Sequence, residues 1–186
     1  MESNNRIHRH SAPEDKIALF RSLFRGREDV YPRRFESRRT GKTGYSPVCA
    51  NEWVKGICEK PKIKCAECQH RRFLPVTDNV IRCHLSGQDG NGWDFTMGVY
   101  PMLLDETCFF IAADFDKATW QDDARAFLET CRVMNLPSAG EISFRQWRTC
   151  LVILQRSHSS LACSKAWFAH PDRDDGSPAR YRFGFL

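Results

Sequence analysis

An α+β fold, with antiparallel strands and flanking helices, follows from three observations. Residues 97–103 and 107–113 read as strands joined by the short link Leu104-Asp105-Glu106. Apolar residues recur at helical spacing on either side, at Ile17, Phe20, Leu23 and Phe24 and again at Ala124, Phe127, Leu128, Cys131 and Met134. The second strand then runs through Cys108-Phe109-Phe110-Ile111-Ala112-Ala113 straight into Asp114-Phe115-Asp116.

That ending carries chemistry. Alternate residues of a strand share a face, so Asp114 and Asp116 are expected side by side on a rigid support. Paired carboxylate oxygens suit Mg²⁺ or Mn²⁺. The competing reading is that one Asp caps the following helix while the other is solvated.

The 186 residues fit one domain, or one domain with an attachment. A formal charge of +5, from 28 Lys+Arg against 23 Asp+Glu, is a mild basic bias compatible with nucleic acid. No apolar run reaches the roughly 20 residues of a membrane span, and residues 1–10 lack the apolar stretch of a signal peptide. A cytoplasmic protein with no membrane partner is expected. Nine cysteines, an odd number, then point to metal ligands and free thiols rather than to a disulfide framework.

Residues 1–10 are expected to be disordered, and residues 11–46 to form a helix followed by a basic segment. Ser11, Pro13 and Glu14 have the form of a capped helix start. Beyond it lie Arg25, Arg27, Arg33, Arg34, Arg38, Arg39 and Lys42, with Tyr31 and Phe35 among them. Cations interleaved with aromatics can neutralise phosphates and stack bases, and Arg33, Arg34, Arg38, Arg39 and Lys42 are the candidate nucleic-acid contacts. A solvated basic face is the alternative. Gly41-Lys42-Thr43 is no phosphate-binding loop, because Glu36 stands where its first glycine belongs.

Residues 47–75 hold Cys49, Cys58, Cys65 and Cys68, spaced C-x8-C-x6-C-x2-C. The last pair has the spacing of a zinc knuckle, and the first pair can complete a tetrahedral set. Lys55, Lys60, Lys62, Lys64, Arg71 and Arg72 surround them, a positive setting that suits anionic sulfur, and His70 is a possible substitute ligand. A structural Zn²⁺ is expected. A reactive Cys65–Cys68 pair with two incidental cysteines is the alternative.

Residues 76–137 open with a short helix capped by Thr77 or Asp78 and stopped at Ser86-Gly87. Cys83 and His84 on it read as packing and surface residues. Thr119 and Asp122 then suggest a capping box for the helix that covers the sheet.

Several strings resemble the primase domain of TOTE conflict systems, within the archaeo-eukaryotic primase superfamily. They are Lys16-Ile17-Ala18-Leu19-Phe20, the run from Phe24 to Tyr31, Cys49-Ala50-Asn51-Glu52-Trp53, the cysteine knuckle, Gly98-Val99-Tyr100-Pro101 and Ala112-Ala113-Asp114-Phe115-Asp116-Lys117. The resemblance covers residues 14–137. It implies a nucleotidyltransferase that makes or extends a strand from nucleoside triphosphates, on single-stranded or primer-template nucleic acid, with helicase domains or proteins as partners. By resemblance, Asp114 and Asp116 are the catalytic metal ligands. A Gly-x-His strand and a third carboxylate are implied downstream.

Neither follows Pro137 in recognisable form. Back-translating residues 141–151 and reading one base later allows Arg-Ser-Arg-Ser-Gly-Asn-Gly-Gly-His-Val-Trp, which contains the missing string. A frameshift near Pro137 is therefore expected, leaving residues 76–137 as the N-terminal half of a catalytic domain. Residues 138–186 would be an irregular, out-of-frame tail whose Trp147, Trp167, Phe168, Phe183 and Phe185 invite aggregation. The competing function is a non-catalytic, zinc-containing nucleic-acid-binding module.

Overall fold

A computed structural model describes residues 6–115, 119–142 and 148–159. The chain divides into two compact units. One takes the described residues of Met1–Ser22 and Arg27–Tyr100, the other those of Leu23–Gly26 and Pro101–Gly184.

The first unit opens on helix α1, Pro13–Leu23. Its first helical bond runs from the Lys16 amide to the Ala12 carbonyl, which makes Pro13 the first helical residue, where its missing N–H costs nothing. The Ser11 hydroxyl does not serve α1, but accepts the His8 amide at 3.0 Å. Residues 8–11 thus form a turn inside the stretch expected to lack structure.

Strands β1 (Pro32–Glu36) and β2 (Thr43–Pro47) follow as an antiparallel hairpin. Helix α2, Asp78–Ser86, has the ends its sequence promised. The Thr77 hydroxyl accepts the Val80 amide at 3.3 Å. Gly87 ends the helix at φ 79°, a left-handed conformation that glycine adopts without steric cost. Arg21 of α1 reaches Asp78 at 2.8 Å, and Ile17, Val30, Tyr31, Ile81, Phe95, Met97 and Val99 make the buried interior.

Residues 97–103 are not a strand. Their start is captured by β1 instead: Met97 bridges Arg33, the Arg34 amide donates to Thr96 O at 2.9 Å, and the Gly98 amide donates to Pro32 O at 2.8 Å. Pro101 then removes a ladder donor. The hairpin expected between residues 97–103 and 107–113 therefore does not form.

His84 is a packing residue. Its ring meets Phe20 edge-on at 5.5 Å and its Nδ1 accepts the Met97 amide at 3.3 Å. Burial holds its pKa below the ordinary histidine value. The unfolded chain therefore takes up the proton first, and stability that is full above the ordinary value is lost as pH falls through it towards the lower folded value. Thermal unfolding should show a midpoint falling between neutral pH and about pH 5.5, with His84→Gln flattening that slope. An equal slope in the variant would assign the effect to other groups.

In the second unit, strand β3 (Thr107–Asp114) pairs antiparallel with β5 (Arg148–Ser159), and β5 with β4 (Ser138–Ile142), in the order β3-β5-β4. A bulge interrupts the register between Cys108 and Phe110. Helix α3, Trp120–Val133, brings Cys131 to Cys108, with Ile111, Phe127 and Leu136 packed around them. Phe24 meets Phe110 edge-on at 5.8 Å, and the Arg25 guanidinium lies 3.6 Å over the Phe109 ring. Met134, expected on the apolar stripe, is exposed at the end of α3. The capping box also does not form, since the Thr119 hydroxyl donates to Asp123 at 2.9 Å.

An irregular tail was expected from residue 138, yet β4 and β5 both fall within it. The run Thr149-Cys150-Leu151-Val152-Ile153 is rich in strand-favouring residues, which suits a ladder beside β3. Trp147, Trp167, Phe168, Phe183 and Phe185 lie outside the described residues.

Candidate metal centres and nucleic-acid interface

The cysteine segment folds back on itself. Cys49 bridges Phe73, the Ala50 amide donates to Arg72 O at 2.8 Å, and Asn51 donates to His70 O at 2.7 Å. These contacts bring Cys49, Cys58, Cys65 and Cys68 to the walls of one recess, together with Glu52, Lys60, His70 and Phe73.

Two groups already lie beside the sulfurs. The Arg72 amide donates to Cys49 Sγ at 3.2 Å. Lys60 reaches Glu52 at 2.7 Å, with the Cys65 sulfur also favouring its charge. Burial opposes the Lys60 charge, but the Glu52 carboxylate and the Cys65 sulfur outweigh it and raise the pKa. Four sulfurs, one with an N–H donor directed at it and another beside an ammonium, make a donor set that suits Zn²⁺. Among the described residues, however, no three Cys, His, Asp or Glu side chains form a cluster able to hold a metal ion.

The basic segment separates into distinct roles. Arg25 is stacked on Phe109, and Arg27 pairs with Asp29 at 2.5 Å, which raises the arginine pKa and lowers that of the carboxyl. Arg33 is a structural residue. Its guanidinium lies 4.6 Å over Phe95 and reaches both Asp89 (3.2 Å) and Asp94 O (3.3 Å). Asp89 in turn accepts the Asn91 and Trp93 amides, and these bonds with Arg33 hold its carboxyl below the ordinary range. Arg34, Arg38, Arg39 and Lys42 are exposed, and none has an ion-pair partner among the described residues. Tyr31 is buried. Phe35 and Tyr45 are both exposed beside these cations, and the one opposite Arg34 in the hairpin register is Tyr45. Sequence reasoning passed over it, although Arg34 and Tyr45 lie at equal distances from the middle of the turn.

Asp114 is the last residue of β3, in register with Thr149. Asp116 lies outside the described residues.

An antiparallel sheet covered by a helix, with a carboxylate at a strand end, defines the α+β class of primase-type domains. The family model described as the Archaeo-Eukaryotic Primase domain of the TOTE conflict system matches residues 15–151, and the chain belongs to that family. Nucleic acid and nucleoside triphosphates are the general ligand classes of such a domain. No curated protein matches the chain. No helix among the described residues is long and apolar enough to cross a membrane.

Proposed function

We propose that the chain carries the metal-binding part of a primase-polymerase centre, which joins nucleotides to a nucleic-acid strand, in a catalytically incomplete form. The observation that carries this reading is the family match over residues 15–151, within which Asp114 ends β3 ahead of helix α3. Asp114 and Asp116 would hold Mg²⁺ or Mn²⁺, which supplies charge neutralisation to the attacking hydroxyl and the leaving pyrophosphate. The chain's own part is to set Asp114 at the end of a paired strand, with Asp116 two residues on in sequence. Incompleteness rests on the text after Pro137, where no Gly-x-His string occurs. A frame shift near Pro137 would account for that loss, although the family match continues in this frame to residue 151, and the nucleotide sequence there tests it directly.

Cys49, Cys58, Cys65 and Cys68 would hold a structural Zn²⁺ that ties residues 49–73 together. Helicase domains of the same system are the expected partners, in the cytoplasm. A second reading, a non-catalytic nucleic-acid-binding module, is favoured by the unpaired cations of the β1–β2 hairpin, which can act without the Asp pair.

Primer synthesis and extension with Mn²⁺ or Mg²⁺ separates the two, using this chain and a version with the frame restored after Pro137. Incorporation by the restored version alone is expected. Activity in both would refute incompleteness, and activity in neither would favour the binding module.

A further inference from the structure

We infer that the β1–β2 hairpin is a single-strand nucleic-acid clasp in which Tyr45 stacks a base while Arg34, Arg38, Arg39 and Lys42 take the flanking phosphates. The inference deepens the nucleic-acid part of the proposed function and rests on it.

The hairpin's two faces have different work. Residues opposite each other in an antiparallel pair share a face. Arg33 and Phe35 therefore point one way with Ser46 and Gly44, while Arg34 points the other way with Tyr45. On the first face, Arg33 is held by Phe95, Asp89 and Asp94. The Phe35 ring lies so close over Gly44 that an added Cβ there would sit 3.0 Å from it. That face braces the hairpin through Arg33, while the Phe35 ring covers Gly44 and keeps an exposed side. The second carries an open ring, Tyr45 at 39% exposure, beside an unpaired guanidinium.

The turn adds the rest of the charge. Ser37 and Lys42 close it, with the Ser37 amide donating to Lys42 O at 2.8 Å and the Gly41 amide to Ser37 O at 2.8 Å. Arg38, Arg39 and Lys42 project from it, all exposed. Within residues 34–45 the only acid is Glu36. Four cations with the Tyr45 ring among them fit a polyanion that offers flat rings at intervals, as a single strand does. A duplex hides its base faces. An anionic membrane would need a wider apolar face than Tyr45 and Phe35 provide, one on each side of the hairpin.

Fluorescence anisotropy of labelled oligothymidylate and oligouridylate, titrated with the full chain over a salt series, tests this. Tyr45→Ala should weaken binding roughly tenfold at every salt concentration without changing the salt slope, and Tyr45→Phe should restore it. Replacing Arg38, Arg39 and Lys42 together with Ala should reduce the slope of log affinity against log salt by about 2. Circular dichroism checks that each variant keeps the wild-type fold. Wild-type affinity and slope in these variants would overturn the clasp and leave the nucleic-acid reading standing. No oligonucleotide binding by the wild type would overturn both. Equal loss on blunt duplex would overturn stacking on a single strand, and binding to phosphatidylserine vesicles without oligonucleotide binding would assign the hairpin to a membrane surface. Nucleotide incorporation is not read, so a catalytically silent chain leaves the outcome unchanged.

Discussion

Replacing Asp114 and Asp116 with Asn in the frame-restored chain is expected to lower nucleotide incorporation by roughly a thousandfold or more, because metal ligands act as a unit. Asn keeps the shape and removes the charge, so the ladder between Asp114 and Thr149 and the stability of the sheet should persist. Binding of a single strand should be unchanged, since the cations proposed to hold it belong to β1–β2 and the turn between them. Steady incorporation rates at increasing Mn²⁺ concentration provide the measurement. A variant rescued to full rate by more metal would reduce the pair to one ligand among others. Undiminished synthesis at all metal concentrations would remove both residues from the centre.

Cys65→Ser with Cys68→Ser is expected to release one zinc per chain and to loosen residues 49–73. The segment has little apolar interior of its own: Trp53, Val54 and Ile57 are all exposed. A structural zinc supplies on the order of 10 kcal/mol of apparent binding free energy to such loop-rich pieces. Metal analysis of the purified protein, with limited proteolysis, reads both effects. The wild type should carry zinc and resist cleavage between Cys49 and Phe73, and the variant should do neither. Zinc retained by the variant would move the site elsewhere, and a metal-free wild type with the same resistance would leave the segment held by backbone bonds alone. Lys60 adds a graded control. Lys60→Met removes the donor beside Cys65 and should weaken zinc retention without abolishing it.

Local chemistry made much of the fold legible in the sequence. Helix α2 could be read to its ends because Thr77 and Gly87 act on their immediate neighbours. Helices α1 and α3 followed from apolar spacing, and β3 from an unbroken apolar run, so Asp114 was placed at a strand end before any pairing was known. The four cysteines were grouped by proximity in the chain; they line one recess, but among the described residues no three such side chains form a group able to hold a metal ion.

Pairing and competition for partners were decided only in three dimensions. β3 pairs with β5 rather than with residues 97–103, whose first members are taken by β1, because a ladder forms with whichever segment the rest of the chain delivers. The basic segment showed seven similar cations in sequence. Phe109, Asp29, and the Phe95 and Asp89 pair withdraw Arg25, Arg27 and Arg33 from it, leaving four free among the described residues. Residue type and spacing thus determined which groups this protein can use. Which of them remain available was decided by contact in the folded chain: Arg27 is taken by Asp29 two residues on, but Arg25 and Arg33 by neighbours more than fifty residues away.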